Sequence, residues 1–328
     1  MDTISDLAVF TTVIECGSMT GAGEKLALSA AAVSKRIVNL ETRLGVRLLN
    51  RSTRRLSATE EGANYYQRCK AILEDIADAE ASIDQSRKTV KGTLRVTTPA
   101  SFGRRHIAAL LPIFLERYPG LNVDIQMTDN VLCMIESGLD LAIRITAPTD
   151  ADYVARLLAP SRRLLCAAPE YLQRHGEPRE LQQLTRHNCL LLSNHGGREQ
   201  TWRFTGPSGA QTVRVSGNLL CNNVEVQRDA AVAGLGIALE STWNIADDLR
   251  AGRLVPVLAD HAPEQVGIYA IYPHRRYLSA KVRAFIDLLA EQFGPAPYWD
   301  EGLENLLQTS SGKTAARRPS VRAQRSPV

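Results

Sequence analysis

Six positions between Tyr65 and Ile83 constrain the fold more than any other part of the chain. Tyr65, Cys69, Ile72, Ile76, Ala79 and Ile83 follow one another at steps of 4, 3, 4, 3 and 4. That is the a/d spacing that holds an apolar seam on one side of a helix. Glu74, Asp75, Asp78 and Arg87 fall off the seam. Thr59 or Ser57 is the candidate N-cap, and Glu60 and Glu61 stand in the first turn, where negative charge suits the helix dipole. Such a stripe needs a second surface. Its own chain is one option, but self-pairing with a second copy explains a seam better in a helix that stands between domains.

The texture before this helix differs from the texture after it. Ile4 to Glu15, Met19 to Leu26 and Ser29 to Leu44 read as helices, the last two joined by the short turn Ala27-Leu28-Ser29. Helices joined so tightly suggest a helix-turn-helix, and the basic NRSTRRLSATEEG that follows has no helical period and suggests a wing. The net charge of +4 is too mild to imply a nucleic-acid partner, so its distribution decides. Between Lys35 and Arg55 seven cations face one acid, Glu41, which leaves the rest of the chain slightly acidic.

On a helical wheel Val33, Ile37, Leu40 and Leu44 share the sector that must face a core, with Ala30 at its flank. Ala31, Ala32, Lys35, Val38 and Thr42 face outward, Ser34 lies on one flank, and Arg36 sits near the core edge within swing of a phosphate. Ser29 is a natural N-cap, so its hydroxyl serves either the helix or an anion. Gly21 and Gly23 are costly in a helix interior and suggest close helix packing.

After Lys91-Gly92 strands and helices alternate. TLRVTTP, LNVDIQMT and DLAIRI read as strands, RHIAALLPIFLERYP and NVLCMIESG as helices. This is α/β wiring with a mainly parallel sheet. A second, less regular set runs from about Arg163 to LVPVL, followed by VGIYAIYPH and the amphipathic SAKVRAFIDLLAEQF. The expected division is 1–58 for the helix-turn-helix domain, 59–90 for the linker helix and 91–294 for two α/β lobes. The first lobe covers about 91–162 and 267–294, the second about 163–266, and 295–328 reads as a disordered basic tail.

Taken together, GSMTGAGEKLALSAAAVSKRIVNLETRLGVRLLNRSTRRLSATEEG, GTLRVTTPASFG, GLDLAIRI, DAAVAGLGIAL and YPHRR resemble the LysR-type transcriptional regulators from about residue 4 to residue 293. The resemblance implies a winged helix-turn-helix, a linker helix that pairs two chains, and a two-lobed α/β effector-binding domain similar to periplasmic solute-binding proteins. It also implies double-stranded DNA and a small-molecule effector as partners. Assembly as a homodimer through the linker helix and then a homotetramer is implied, with RNA polymerase a further candidate partner. Base and phosphate contacts fall to Ser29, Ala31, Ala32, Ser34, Lys35 and Arg36 on the recognition helix, and to Arg51, Arg54 and Arg55 in the wing, whose family counterparts reach the DNA backbone or minor groove. The sequence departs from the family at Ala30, where a polar residue, often glutamine, commonly stands. Alanine offers a thymine methyl only apolar contact, so Lys35 and the wing carry the polar work.

In a two-lobed α/β protein the ligand belongs at strand carboxyl ends. Thr98, Ala100, Ser101 and Phe102 follow the first strand, Thr128 and Asp129 the second, and Asn223 opens a helix of the other lobe. Family pockets use the positions matching Ser101, Thr128, Asp129 and the loop near Phe204, and the family's effectors are often organic acids or aromatic metabolites. Asp129 disfavours a simple anion without water or a cation. Thr128-Asp129 and Asn222-Asn223 serve equally well as helix caps, and Arg144 reads as structural, paired with a nearby acid.

Two other functions stay open. One is thiol sensing through Cys189 and Cys221; the other is solute binding by a cytosolic two-lobed protein. The six cysteines form no C-x-x-C pair, the six histidines have no metal-like spacing, and no catalytic or nucleotide motif occurs. Neither an enzyme nor a cofactor is expected. With no signal-like N-terminus and no long apolar run, a cytoplasmic protein without membrane contact is the expectation.

Overall fold

The computed structural model describes residues 3–51, 56–83, 90–130, 132–134, 137–146, 153–194, 197–198, 200–206, 209–264, 266–273 and 278–303. Three helices open the chain: α1 (Thr3–Cys16), α2 (Met19–Leu26) and α3 (Ala30–Leu44). Each boundary has a local cause. Ser18 Oγ caps α2 by accepting the Gly21 N–H at 3.0 Å, and Ala27, left-handed at φ 53°, ends it. Gly45, at φ 70°, ends α3 in a conformation that glycine adopts without strain. The antiparallel ribbon β1 (Leu49–Arg51) and β2 (Leu56–Ala58) follows, pairing Asn50 with Ser57.

The linker helix α4 (Glu60–Ile83) is capped by Thr59 rather than Ser57. Thr59 Oγ1 accepts the Gly62 N–H at 2.9 Å and donates to the Arg47 carbonyl at 2.8 Å. One core holds this end together: Leu7, Phe10, Val13, Ala22, Val33, Ile37, Leu40, Leu48, Leu49 and Cys69. Leu44 departs from the expected core sector and is 40% exposed, because the chain reverses at Gly45 and Leu48 and Leu49 occupy the space beneath. The seam of α4 is divided. Tyr65 packs on the Phe10 ring at 5.5 Å and Cys69 is buried on its own chain, whereas Ile72 is 47% exposed.

The second half begins with β3 (Gly92–Thr98) and α5 (Ala100–Phe102), a π turn at Gly103–Ile107 and a 3-10 turn at Ala108–Leu110. It continues with α6 (Leu111–Arg117), β4 (Leu121–Met127), β5 (Leu141–Arg144), β6 (Tyr153–Ser161), β7 (Arg163–Ala167) and α7 (Pro169–His175). Then come β8 (Cys189–Asn194), β9 (Gly197–Arg198), β10 (Thr201–Gly206), β11 (Gly209–Arg214), β12 (Leu220–Cys221), α8 (Val224–Val232), β13 (Ile237–Ser241) and α9 (Thr242–Arg250). The last elements are β14 (Val255–Val257), β15 (Ala262–Pro263), β16 (Val266–Pro273) and α10 (Ala280–Phe293).

These strands make two principal sheets, ordered β4-β3-β5-β16-β6 and β12-β8-β13-β7-β14, with a small sheet β11-β10-β15 beside the second. The chain crosses between the principal sheets at Arg162 and returns at β16. The sheets are mixed rather than mainly parallel. β16 is antiparallel to both β5 and β6, and β7 to both β13 and β14. A chain that leaves one lobe and re-enters it sends strands in both directions, which the count of βα repeats does not reveal.

Two further expectations are corrected. The stretch 130–138 is no helix among its described residues; Ser137 N–H donates to the Cys133 carbonyl at 3.0 Å in a single turn, and Met134 and Leu139 pack on Ala142 and Ile271. Residues 295–303 do not belong to a disordered tail. Trp299 and Leu303 are 3% and 1% exposed in the main core, because two large apolar side chains here find an apolar wall. Residues 304–328 lie outside the described part of the chain.

Candidate DNA interface and effector cleft

The start of α3 presents a smooth surface. Ser29 Oγ accepts the Ala32 N–H at 3.1 Å, so its hydroxyl is engaged in the cap. Ala30 and Ala31 are exposed and Ala32 half-buried; Ala30 therefore stands outside the core flank and Ala32 closer to it than the wheel placed them. Lys35, Val38 and Thr42 are exposed on the same face, and Ser34 is half-buried. Arg36 is committed elsewhere. Its guanidinium donates to Ser5 Oγ and lies 3.7 Å from the Asp6 carboxylate on α1, which takes it away from the DNA-facing set. Glu41 is not a stray acid in a basic run: its Oε1 accepts the Leu48 and Leu49 N–H groups at 2.9 and 3.1 Å and fixes the entry to the ribbon. Arg51 is the last residue of β1, while Arg54 and Arg55 lie outside the described residues.

The effector candidates converge only in part. Thr128 N–H donates to the Thr98 carbonyl at 2.9 Å, which extends the β3–β4 pairing to the strand ends. Asp129 Oδ1 accepts the Ala100 N–H at 3.0 Å, and Thr128 Oγ1 accepts the Asn130 N–H at 3.2 Å. Asp129 therefore caps the start of α5, and Thr128 closes a side-chain turn onto Asn130. Asn223 caps α8, its Oδ1 accepting the Glu225 and Val226 N–H groups at 2.9 and 3.2 Å. Its Nδ2 remains free to cross the cleft and meets Ser101 Oγ at 3.5 Å. Ser101 and Asn223 thus bring the two lobes together.

Phe102 and Phe204 do not join them. Phe102 is fully buried, with its ring 5.3 Å from Trp243 and 5.7 Å from Phe293. Phe204 is 2% exposed in the separate core of the second lobe, on a strand paired with β11 and β15. The contact that sequence reasoning missed is Glu225, which pairs with Arg104 and lies 3.5 Å from Arg105 across the cleft. The Arg104-Arg105 doublet beside Ser101 was the available signal.

Burial disfavours the thiolate at both candidate cysteines. Burial pushes the Cys189 thiol up to about 12, and burial raises Cys221 as well. The parallel register sets Cys221 opposite Leu192, three residues along β8 from Cys189 and on the other face of the sheet. That offset of about 10 Å is too long for a disulfide. Arg144 is half-buried, and its charged form is disfavoured by burial and supported by Asp129, in keeping with a structural role. Among the described residues no group of His, Cys, Asp and Glu is arranged to hold a metal, and no helix is long and apolar enough to cross a membrane.

Comparison with known proteins matches both halves of the chain to one family. Residues 87–294 match the LysR substrate binding domain, and residues 4–63 match the bacterial regulatory helix-turn-helix protein of the lysR family. The chain belongs to the LysR-type transcriptional regulators. Its relatives include the HTH-type transcriptional activator TtdR of Escherichia coli K12, 35% identical over 285 residues, 87% of this chain and 92% of the relative. The HTH-type transcriptional regulator CrgA of Neisseria meningitidis is 34% identical over 290 residues, 88% of this chain and 96% of the relative.

The solved structure of CrgA superposes with a TM-score of 0.57 at 33% identity, over 88% of this chain and 98% of that one. Full-length AphB of Vibrio cholerae gives 0.54 at 30% identity, over 89% and 99%. This LysR-type regulator therefore combines a DNA-binding head, a linker helix and a two-lobed effector-binding domain, and it is not an enzyme.

Proposed function

We propose that this LysR-type regulator binds operator DNA as a homodimer or homotetramer paired through α4, and that a small organic acid or aromatic metabolite between the lobes switches it. The contact of Asn223 Nδ2 with Ser101 Oγ carries the reading. It supplies an amide and a hydroxyl from opposite lobes at one point, and a ligand with an oxygen acceptor replaces their mutual contact with two better ones. Thr98, Ala100 and Thr128 form the floor, and Asp129 holds the turn through the Ala100 N–H. Because Asp129 already neutralises that donor, the ligand's acceptor is directed to Ser101 and Asn223. The outward seam residue Ile72 supports pairing through α4, and the burial of Cys189 together with its separation from the half-buried Cys221 gives no support to redox sensing.

Calorimetric titration of the full chain with a panel of carboxylates and phenols is the test. Ser101→Ala is expected to weaken the best ligand about ten-fold, the loss of one hydrogen bond, and to leave DNA affinity unchanged. Unchanged ligand affinity in both Ser101→Ala and Asn223→Ala refutes the site. At the DNA end Lys35→Ala is expected to relax specificity, whereas Arg54→Ala weakens binding to operator and random DNA alike and flattens its salt dependence. RNA polymerase is a partner to be tested on the operator-bound oligomer.

A further inference from the structure

Residues 295–303 follow the last helix and lie beyond residue 294, where the match to the effector-binding family ends. They touch four separate parts of the effector domain. The Tyr298 hydroxyl meets His106 Nδ1 at 2.6 Å. Because His106 Nε2 faces the Trp243 carbonyl at 3.0 Å, which only accepts, Nε2 carries the proton and Nδ1 accepts from Tyr298. The Trp299 ring lies 4.8 Å from His106, 5.3 Å from Phe293 and 6.0 Å from Phe102, the neighbour of Ser101. From the second lobe, Arg250 on α9 donates to the Trp299 and Glu301 carbonyls, each at 2.8 Å.

The fourth contact sets the function of the segment. Asp300, 6% exposed, pairs with Arg162, the single residue between β6 and β7 where the chain passes from one lobe to the other. Burying a carboxylate is costly unless it is paired, and a strap needed only to cover apolar surface has no use for one at this position.

We propose that residues 295–303 are a splint across the hinge that fixes the angle between the lobes and so holds Ser101 opposite Asn223. The acid–base pair at Arg162 sets the bend, the Trp299 ring backs the Phe102–His106 wall from which Ser101 projects, and Arg250 ties the same segment to the second lobe. The inference uses the effector reading only in taking Ser101 and Asn223 as the ligand-facing pair. Its test contains no ligand, so the two readings fail separately.

Hydrogen exchange of the full chain, followed by mass spectrometry, compares Arg162→Asp, Asp300→Arg and the double reversal. Each single variant is expected to exchange about ten-fold faster at 100–107, 159–165 and 224–228, and the double variant to recover most of that protection. A merely structural contribution of either side chain is not rescued by exchanging the charges. If the single variants fail to fold, Tyr298→Phe removes one hydrogen bond at little risk and is expected to speed exchange several-fold at 100–107. Faster exchange confined to 295–303, a double variant no better than the singles, or unchanged exchange at 100–107 in Tyr298→Phe overturns the proposal.

Discussion

Replacing Gly23 with alanine sets two effects of known size against each other. In an open helix the exchange gains about 1 kcal/mol from propensity. Here an added Cβ at Gly23 lies 2.6 Å from the Leu28 carbonyl oxygen in the turn between α2 and α3 and 3.5 Å from the Ala30 nitrogen that opens α3, both backbone atoms. That turn is already pinned by the Leu28 N–H donating to the Gly23 carbonyl at 2.9 Å. Relieving the overlap means moving the turn, which costs roughly 1–3 kcal/mol in a packed site and loosens a hydrogen bond worth about 1 kcal/mol. The clash wins, and the net destabilisation is about 1–3 kcal/mol.

Gly21 supplies the control. Its added Cβ lies 2.9 Å from Ser18 Oγ, a side-chain atom that can rotate away. Losing the cap costs about 1 kcal/mol, which the propensity gain offsets, so Gly21→Ala is expected within about 0.5 kcal/mol of the parent. Because a chain with several domains does not unfold in two states, the appropriate assay is amide exchange in α2 and α3 rather than a melting midpoint. A loss of 2 kcal/mol reads as about thirty-fold faster exchange. Equal protection in Gly21→Ala and Gly23→Ala, or slower exchange in Gly23→Ala, refutes the reasoning.

Three other outcomes follow from buried charge. Arg36→Ala is expected to loosen α1 against α3, seen as faster exchange in 3–16, while reducing DNA affinity less than Lys35→Ala does in a parallel titration. His106 is held down to about 4, chiefly by burial, against 6.5 in the unfolded chain, so the unfolded state binds the extra proton between those values. Stability is then constant above about pH 6.5 and falls as pH drops toward 4, by up to about 3 kcal/mol, and His106→Gln removes that slope in amide exchange at 100–107 followed across pH and corrected for the intrinsic exchange rate. Glu240 is pushed up to about 8, first by burial, so the folded state keeps its proton and stability declines as pH rises from 4.5 through 8. Glu240→Gln is expected to match the parent at pH 5 and exceed it at pH 8.5.

Much of this was legible in the residues because it depends on local period and local chemistry. The three short helices, the Ser29 cap, the apolar positions Val33, Ile37 and Leu40, and the strands at 92–98, 121–127 and 141–144 follow from patterns a few residues long. What failed depends on a remote partner. A wheel places Arg36 at the edge of the core but does not show Ser5 and Asp6 waiting on α1. Phe102 sits where α5 gives way to a π turn, and once the period leaves 3.6 residues the facing of a side chain can no longer be counted along the chain. Phe204 belongs to a small sheet whose third strand, β15, lies almost sixty residues later. The burial of Trp299 required the Phe102–Phe293 wall, which is assembled from segments nearly two hundred residues apart.

The joint between the ribbon and the linker helix has a consequence for the operator. An added Cβ at Gly62 would lie 1.9 Å from the Leu48 oxygen, and Thr59 N–H donates to that same oxygen at 2.9 Å, so α4 leaves the head without slack. With 24 residues it extends about 36 Å, close to one turn of B-DNA. In a pair built on α4 the recognition helices cannot be repositioned by a loose tether. If the proposed pairing through α4 holds, the linker is the gauge that sets the base pairs between half-sites, and an operator with five base pairs inserted would present its second half on the wrong side of the duplex.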